Sequence, residues 1–111
     1  MWLLKTDEQA ENVFTFRILP GNIKTIGRSA GAEFIVDAAM ISRLHCRLTA
    51  GATELEVVDL DSTNGTFVDG RPVRGPVDLT DGQSIQIGEA TLTVRMWSET
   101  GAATKRIRRR P

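Results

Sequence analysis

The chain has one cysteine and one histidine in 111 residues. A lone Cys46 rules out an internal disulfide, and a single thiol fits a reducing compartment. His45 and Cys46 are neighbours, so on a strand they face opposite sides, and no second His or Cys completes a metal set. No metal or cofactor is expected. No apolar run approaches the ~20 residues needed to cross a bilayer. The opening Met1-Trp2-Leu3-Leu4-Lys5-Thr6-Asp7 lacks the apolar segment and small-residue cleavage site of a leader peptide. A cytoplasmic protein is expected (nuclear in a eukaryote), with no membrane partner. There is no Gly-x-Ser-x-Gly, P-loop or dinucleotide fingerprint and no credible nucleophile–base pair. An enzyme is therefore not expected.

Formal charge is balanced, with 14 basic and 14 acidic residues, but unevenly placed. Five of the 14 basic residues are Lys105, Arg106, Arg108, Arg109 and Arg110, which leaves the first 104 residues with nine basic groups against 14 acidic ones. A nucleic-acid-binding fold normally has a basic body, and this body is acidic. The length of 111 residues suits one modest core. Residues 98–111 lose the apolar pattern and read as a flexible basic tail or linker after a domain at 1–97. A monomeric domain is expected, one that fits within a larger chain.

What is present is a period of two. Phe14 to Leu19 alternates and stops at Pro20-Gly21-Asn22, and Ile23 to Ile26 follows. Phe34 to Val36, Cys46 to Thr49, Leu55 to Leu60 and Thr66 to Val68 are further runs, the last meeting an Asp69-Gly70 hairpin signal. Arg71 to Val73 returns, and Ser84 to Ile87 and Thr91 to Trp97 close the series around Gly88-Glu89. Residues 37–42 read as a short helical turn. This spacing predicts about ten short strands in two packed antiparallel sheets, an all-β sandwich.

Three polar patches lie between these runs: Gly27-Arg28-Ser29, Ser42-Arg43-Leu44-His45 and Ser62-Thr63-Asn64-Gly65-Thr66. Each has an ordinary explanation alone: an exposed arginine at a strand end, a structural histidine, an Asn-Gly β-turn. Together they supply two guanidinium groups, several hydroxyls and an amide, a donor set that suits a phosphate ester on a peptide. Gly27 lets the backbone approach closely, and His45 has two ring nitrogens with which to tie loop groups together.

The ordered series Ile26-Gly27-Arg28-Ser29, Ile41-Ser42-Arg43-Leu44-His45 and Asp59-Leu60-Asp61-Ser62-Thr63-Asn64-Gly65-Thr66-Phe67-Val68 resembles the forkhead-associated (FHA) domain over about residues 13–97. The resemblance implies an eleven-stranded, SMAD-like β-sandwich that binds phosphothreonine peptides, the products of Ser/Thr kinases, through loops at one end. It implies phosphate contacts from Arg28, Ser42, Arg43 and Thr63, and a peptide-backbone contact from Asn64. Gly27, His45 and Gly65 would shape the loops. Met40 and Ile41 would lie in the loop that reads the third residue after the phosphothreonine, where a hydrophobic side chain is expected. The competing readings are a phosphate-independent scaffold or oligomerisation domain, and nucleic-acid contact through the basic tail.

Overall fold

The computed structural model describes residues 1–7 and 13–97. The flexible tail expected at 98–111 lies outside the described residues. Eleven strands form: β1 (Trp2–Thr6), β2 (Thr15–Ile18), β3 (Ile23–Gly27), β4 (Phe34–Ile35), β5 (Cys46–Ala50), β6 (Leu55–Asp59), β7 (Thr66–Val68), β8 (Arg71–Pro72), β9 (Val77–Leu79), β10 (Ser84–Ile87) and β11 (Ala90–Met96). They make a six-stranded sheet in the order β2-β1-β11-β10-β7-β8 and a five-stranded sheet in the order β4-β3-β5-β6-β9. The all-β sandwich expected from the period of two is the observed architecture.

Alternation decides which side chains meet between the sheets. Leu48 and Ala50 on β5, Leu55 and Val57 on β6, Ile85 and Ile87 on β10, and Leu92 and Val94 on β11 are all buried, each separated from the next by one more exposed position. Burying these chains supplies the main stabilising term, about 1.5–3 kcal/mol per large apolar side chain. One edge is closed by aromatics. Phe16 on β2 stacks on Phe34 of β4 at 4.5 Å between centroids, joining edge strands of the two sheets.

Two strands have no signal in the period-two reading. β1 carries Trp2-Leu3-Leu4, which blurs the alternation, yet Trp2 and Leu4 are fully buried. The Trp2 indole N–H also donates to the Gly51 carbonyl at 2.9 Å, pinning the first strand to the β5–β6 turn of the opposite sheet. β9 is only three residues long, with Leu79 as its one buried anchor, too short to show a period.

Two expectations need correction. Residues 37–42 form no helical turn; the chain reverses at Ala39-Met40, with Met40 in a left-handed conformation at φ 69°. One left-handed residue is incompatible with a right-handed helical turn. The five-stranded sheet is also not wholly antiparallel, because β4 pairs parallel with β3 through Ile26–Phe34 and Gly27–Ile35.

Register brings the functional loops to one end. Ile26, Cys46 and Asp59 are level across β3, β5 and β6. Thr66, Ile87 and Ala90 are level across β7, β10 and β11. The loops leaving these positions, residues 28–33, 36–45, 60–65 and 88–89, therefore emerge together.

Candidate functional site

At that end, Arg28, Met40, Ile41, Ser42, Arg43, Thr63 and Asn64 line one open cleft of about 720 Å³. These are all the ligand-contacting and specificity residues expected from the sequence, drawn from three loops. Gly27, His45 and Gly65 lie beneath them.

The close approach expected at Gly27 is real. A Cβ there would overlap the carbonyl of Arg43 and lie 2.9 Å from the Leu44 Cα. Contact between the first two loops depends on that missing carbon. It is sealed by Arg28 N–H to the Ser42 carbonyl (3.0 Å) and Ser29 N–H to the Arg43 carbonyl (3.3 Å). The Ser29 hydroxyl donates to the same Arg43 carbonyl at 3.2 Å. The two arginines are thus fixed by main chain, and their side chains are left out of the scaffold.

His45 is fully buried. Its Nδ1 accepts the Ser42 N–H at 3.1 Å, so that nitrogen carries no proton. Its Nε2–H then donates to the Gly65 carbonyl at 2.8 Å. The partners assign the neutral Nε2–H tautomer, and one ring joins the second loop to the third.

Asp59 does similar work within the third loop. Its carboxylate accepts from the Ser62 hydroxyl (2.6 Å), the Thr66 hydroxyl (2.7 Å) and the Ser62 N–H (3.1 Å). Partial burial pushes this carboxyl upward, but the hydrogen bonds from Ser62 and Thr66 outweigh it and hold Asp59 below the ordinary carboxylate value. The Ser62 oxygen in turn accepts the Gly65 N–H at 2.9 Å. Gly65 has φ 86°, the conformation an Asn-Gly turn favours.

The remaining polar groups keep hydrogen-bonding capacity that the fold does not use. The Ser42 oxygen accepts the Thr63 N–H at 2.9 Å, which leaves its own O–H free to donate outward. Asn64 donates one amide hydrogen to the Met40 carbonyl at 3.1 Å; its Oδ1 and second N–H remain available. Among the described residues, the two salt bridges are Lys24–Glu33 and Arg95–Asp81. Neither uses Arg28 or Arg43, so two exposed guanidinium groups in one cleft are uncommitted.

Ile41 lines the cleft but is 3% exposed and belongs to the core, whereas Met40 is 52% exposed. Leu44, 47% exposed, joins Met40 in the cleft wall and was not foreseen. Ser29 and Asp61 also line the cleft unforeseen. Asp59 and Ser62 were missed as supports; the signal was a carboxylate three and seven residues before two hydroxyls in a tight turn.

The FHA domain family model matches residues 24–88, which span the loops just described. The chain belongs to the FHA domain family. Glycogen accumulation regulator GarA of Mycobacterium tuberculosis is 35% identical over 75 residues, 68% of this chain and 46% of GarA. An oxoglutarate dehydrogenase inhibitor of Corynebacterium glutamicum is 38% identical over 68 residues, 61% of this chain and 47% of the relative. The chain thus spans about half the length of the curated relatives it matches. Among solved structures, the FhaA FHA domain complexed with the intracellular domain of Rv3910 is similar, with a TM-score of 0.74 and 30% identity, covering 86% of this chain and 100% of that one. An FHA domain from a structural and functional analysis of phosphothreonine-dependent FHA domain interactions gives a TM-score of 0.73 and 31% identity, covering 87% and 97%. Eleven strands in two sheets, as the resemblance implied, are what this FHA domain has.

Two outcomes follow for the scaffold. His45→Ala unpairs a Ser42 N–H and a Gly65 carbonyl, and is expected to cost about 2–4 kcal/mol of stability; a urea unfolding midpoint equal to that of the unsubstituted chain would contradict the bridge. Because the folded carboxyl of Asp59 titrates below its unfolded value of 3.8, its contribution is present above that pH and is lost as pH falls through the folded value. Melting curves between pH 6 and pH 3 should therefore show Asp59→Asn with a shallower acid-side loss than the parent chain.

Proposed function

We propose that this FHA domain is a phosphothreonine-dependent docking module that recruits phosphorylated protein segments. The observation that carries the reading is the pair of uncommitted guanidinium groups, Arg28 and Arg43, in one cleft with the outward-donating Ser42 hydroxyl. A phosphothreonine brings about −1.5 to −2 charges and three acceptor oxygens. Arg28 matches two of those oxygens with its planar fork, Ser42 donates its hydroxyl, and Arg43 and Thr63 complete the shell. Asn64 holds the ligand backbone with its free Oδ1 and N–H, while Gly27, His45 and Gly65 keep the loops in register. Met40 with Leu44 offers an apolar wall to the third residue after the phosphothreonine.

The chemistry is binding rather than turnover. Hydrogen bonds to charged groups contribute about 1.5–3 kcal/mol each. Two or three of them, together with the clamp on the ligand backbone and after ordering costs, reach the micromolar range, about −8 kcal/mol. That range suits a reversible signalling contact. The buried free Cys46, its thiol pushed up to about 12 by burial and the nearby Asp59 charge, is compatible with a reducing cytoplasm. A scaffold that ignores phosphate gives no reason for leaving two arginines uncommitted in one cleft.

Arg28→Ala is expected to abolish phosphopeptide binding in calorimetry while moving the melting temperature by less than a degree or two, since its side chain supports nothing in the fold; retained affinity would refute the assignment. Affinity should also follow the ligand's second ionisation near pH 6, falling roughly fourfold between pH 7.5 and 5.5 as the dianion is lost. A flat profile over that window would mean that the doubly charged ester is not the recognised species.

A further inference from the structure

Asp61 is an anomaly in a cleft built for an anion. It is exposed, and it lines the same cleft as Arg28 and Arg43. Several carboxylates have work in the fold; among the described residues, Asp37, Glu54, Glu56, Asp78 and Glu89 share Asp61's lack of a carboxylate partner, but none of them lines the cleft. Asp59 and Asp69 accept hydrogen bonds from their own loops, and Glu33 and Asp81 pair with Lys24 and Arg95. Among the described residues, Asp61 has neither a hydrogen bond to its carboxylate nor an ion pair. The two arginines of the cleft do not reach it, although both are otherwise free. Its backbone is left-handed at φ 53°, a region where glycine is easiest and aspartate is tolerated. A carboxylate is thus held at a position where a side chain has a conformational cost and no internal partner.

We propose that Asp61 is a specificity residue that selects phosphothreonine ligands carrying a lysine or arginine on the flank that passes over it. The inference rests on the phosphothreonine reading given above. A bound phosphate ester adds a second negative charge to the neighbourhood of Asp61, and the carboxylate repels it. A cationic ligand side chain placed against Asp61 removes that repulsion and adds an attraction. An acidic side chain there meets two like charges. The residue therefore discriminates in both directions, by attracting one class of ligand and rejecting another. The excess of acidic over basic groups in residues 1–104 acts in the same sense at longer range. The contact is solvent-exposed, so the expected preference is about three- to fivefold and salt-sensitive.

The test uses the 111-residue chain and a panel of synthetic phosphothreonine peptides with neutral flanks. Single Lys and single Glu replacements are made at each of the three positions on either side of the phosphothreonine. Fluorescence anisotropy should show a Lys preference confined to one or two adjacent positions, with Glu disfavoured at the same place, and both effects should shrink in about 0.5 M salt. Asp61→Asn, which keeps a residue tolerant of the left-handed region, should erase that preference while binding the neutral peptide as well as or better than before. Asp61→Lys should reverse it in favour of Glu. A Lys preference spread over all positions and surviving in Asp61→Asn overturns the proposal, because it then belongs to the acidic body. Equal weakening of every peptide by Asp61→Asn also overturns it. If phosphorylated and unphosphorylated peptides bind alike, the phosphothreonine reading fails and this inference falls with it. If they differ but no flank position prefers Lys, only the role of Asp61 falls.

Discussion

The imidazole of His45 holds the cleft together. One side of the ring takes the Ser42 N–H and the other gives a proton to the Gly65 carbonyl, and the ring is fully enclosed. Both bonds are made to main chain, so the ring fixes where two loops run without occupying the side chains of Arg28, Arg43 or Asn64. Its own backbone is tied on both sides as well, through N–H to Ile26 and carbonyl to the Leu60 N–H. The strand ends of β3 and β6 and two loops are therefore referred to one residue. The Thr63 N–H donates to the Ser42 hydroxyl oxygen, so the position of Thr63 is tied through Ser42 to His45.

A division of labour follows. Around the cleft, main chain, neutral side chains and the Asp59 carboxylate do the structural work, and Arg28 and Arg43 are spared. The Asp59–Ser62–Thr66–Gly65 network closes the third loop with one carboxylate. Gly27 brings the first two loops together by having no side chain. Pairing Arg28 or Arg43 inside the protein would have made each a weaker donor to an outside anion, because a guanidinium already bonded to a carboxylate must give that up on binding. The cleft is instead preorganised around charges that have no internal satisfaction, which lowers the ordering cost of association.

Much of this was legible in the sequence, for specific reasons. Alternation at Cys46 to Ala50 and Leu55 to Asp59 is clean because one face of each strand is buried, and the Asp69-Gly70 and Gly88-Glu89 signals mark real turns. That Arg28, Ser42, Arg43, Thr63 and Asn64 share one cleft follows from the level strand ends that carry their loops. The rest was hidden for physical reasons as well. Trp2-Leu3-Leu4 has no polar interruption to betray its period. A three-residue strand such as β9 is recognised by its neighbours, not by itself. Ile41 lies in the loop, but the left-handed turn at Met40 sends Ile41 inward while Met40 stays exposed. Asp61 has no signal in the sequence beyond its place between Leu60 and Ser62, and only the shape of the cleft shows that it has company.

Gly88 carries a further consequence. It lies in the turn between β10 and β11, on the sheet opposite His45, and far along the chain from the three polar patches. A Cβ at this position would come within 2.7–2.8 Å of the Ala39 and Met40 carbonyls, and its neighbour Glu89 donates to the Ala39 carbonyl. The loop that presents Met40 is thus moulded against a turn from the other layer. Anyone transplanting the recognition loops onto a different scaffold would have to carry that glycine with them, or the grafted segment would arrive with the right letters and the wrong curvature.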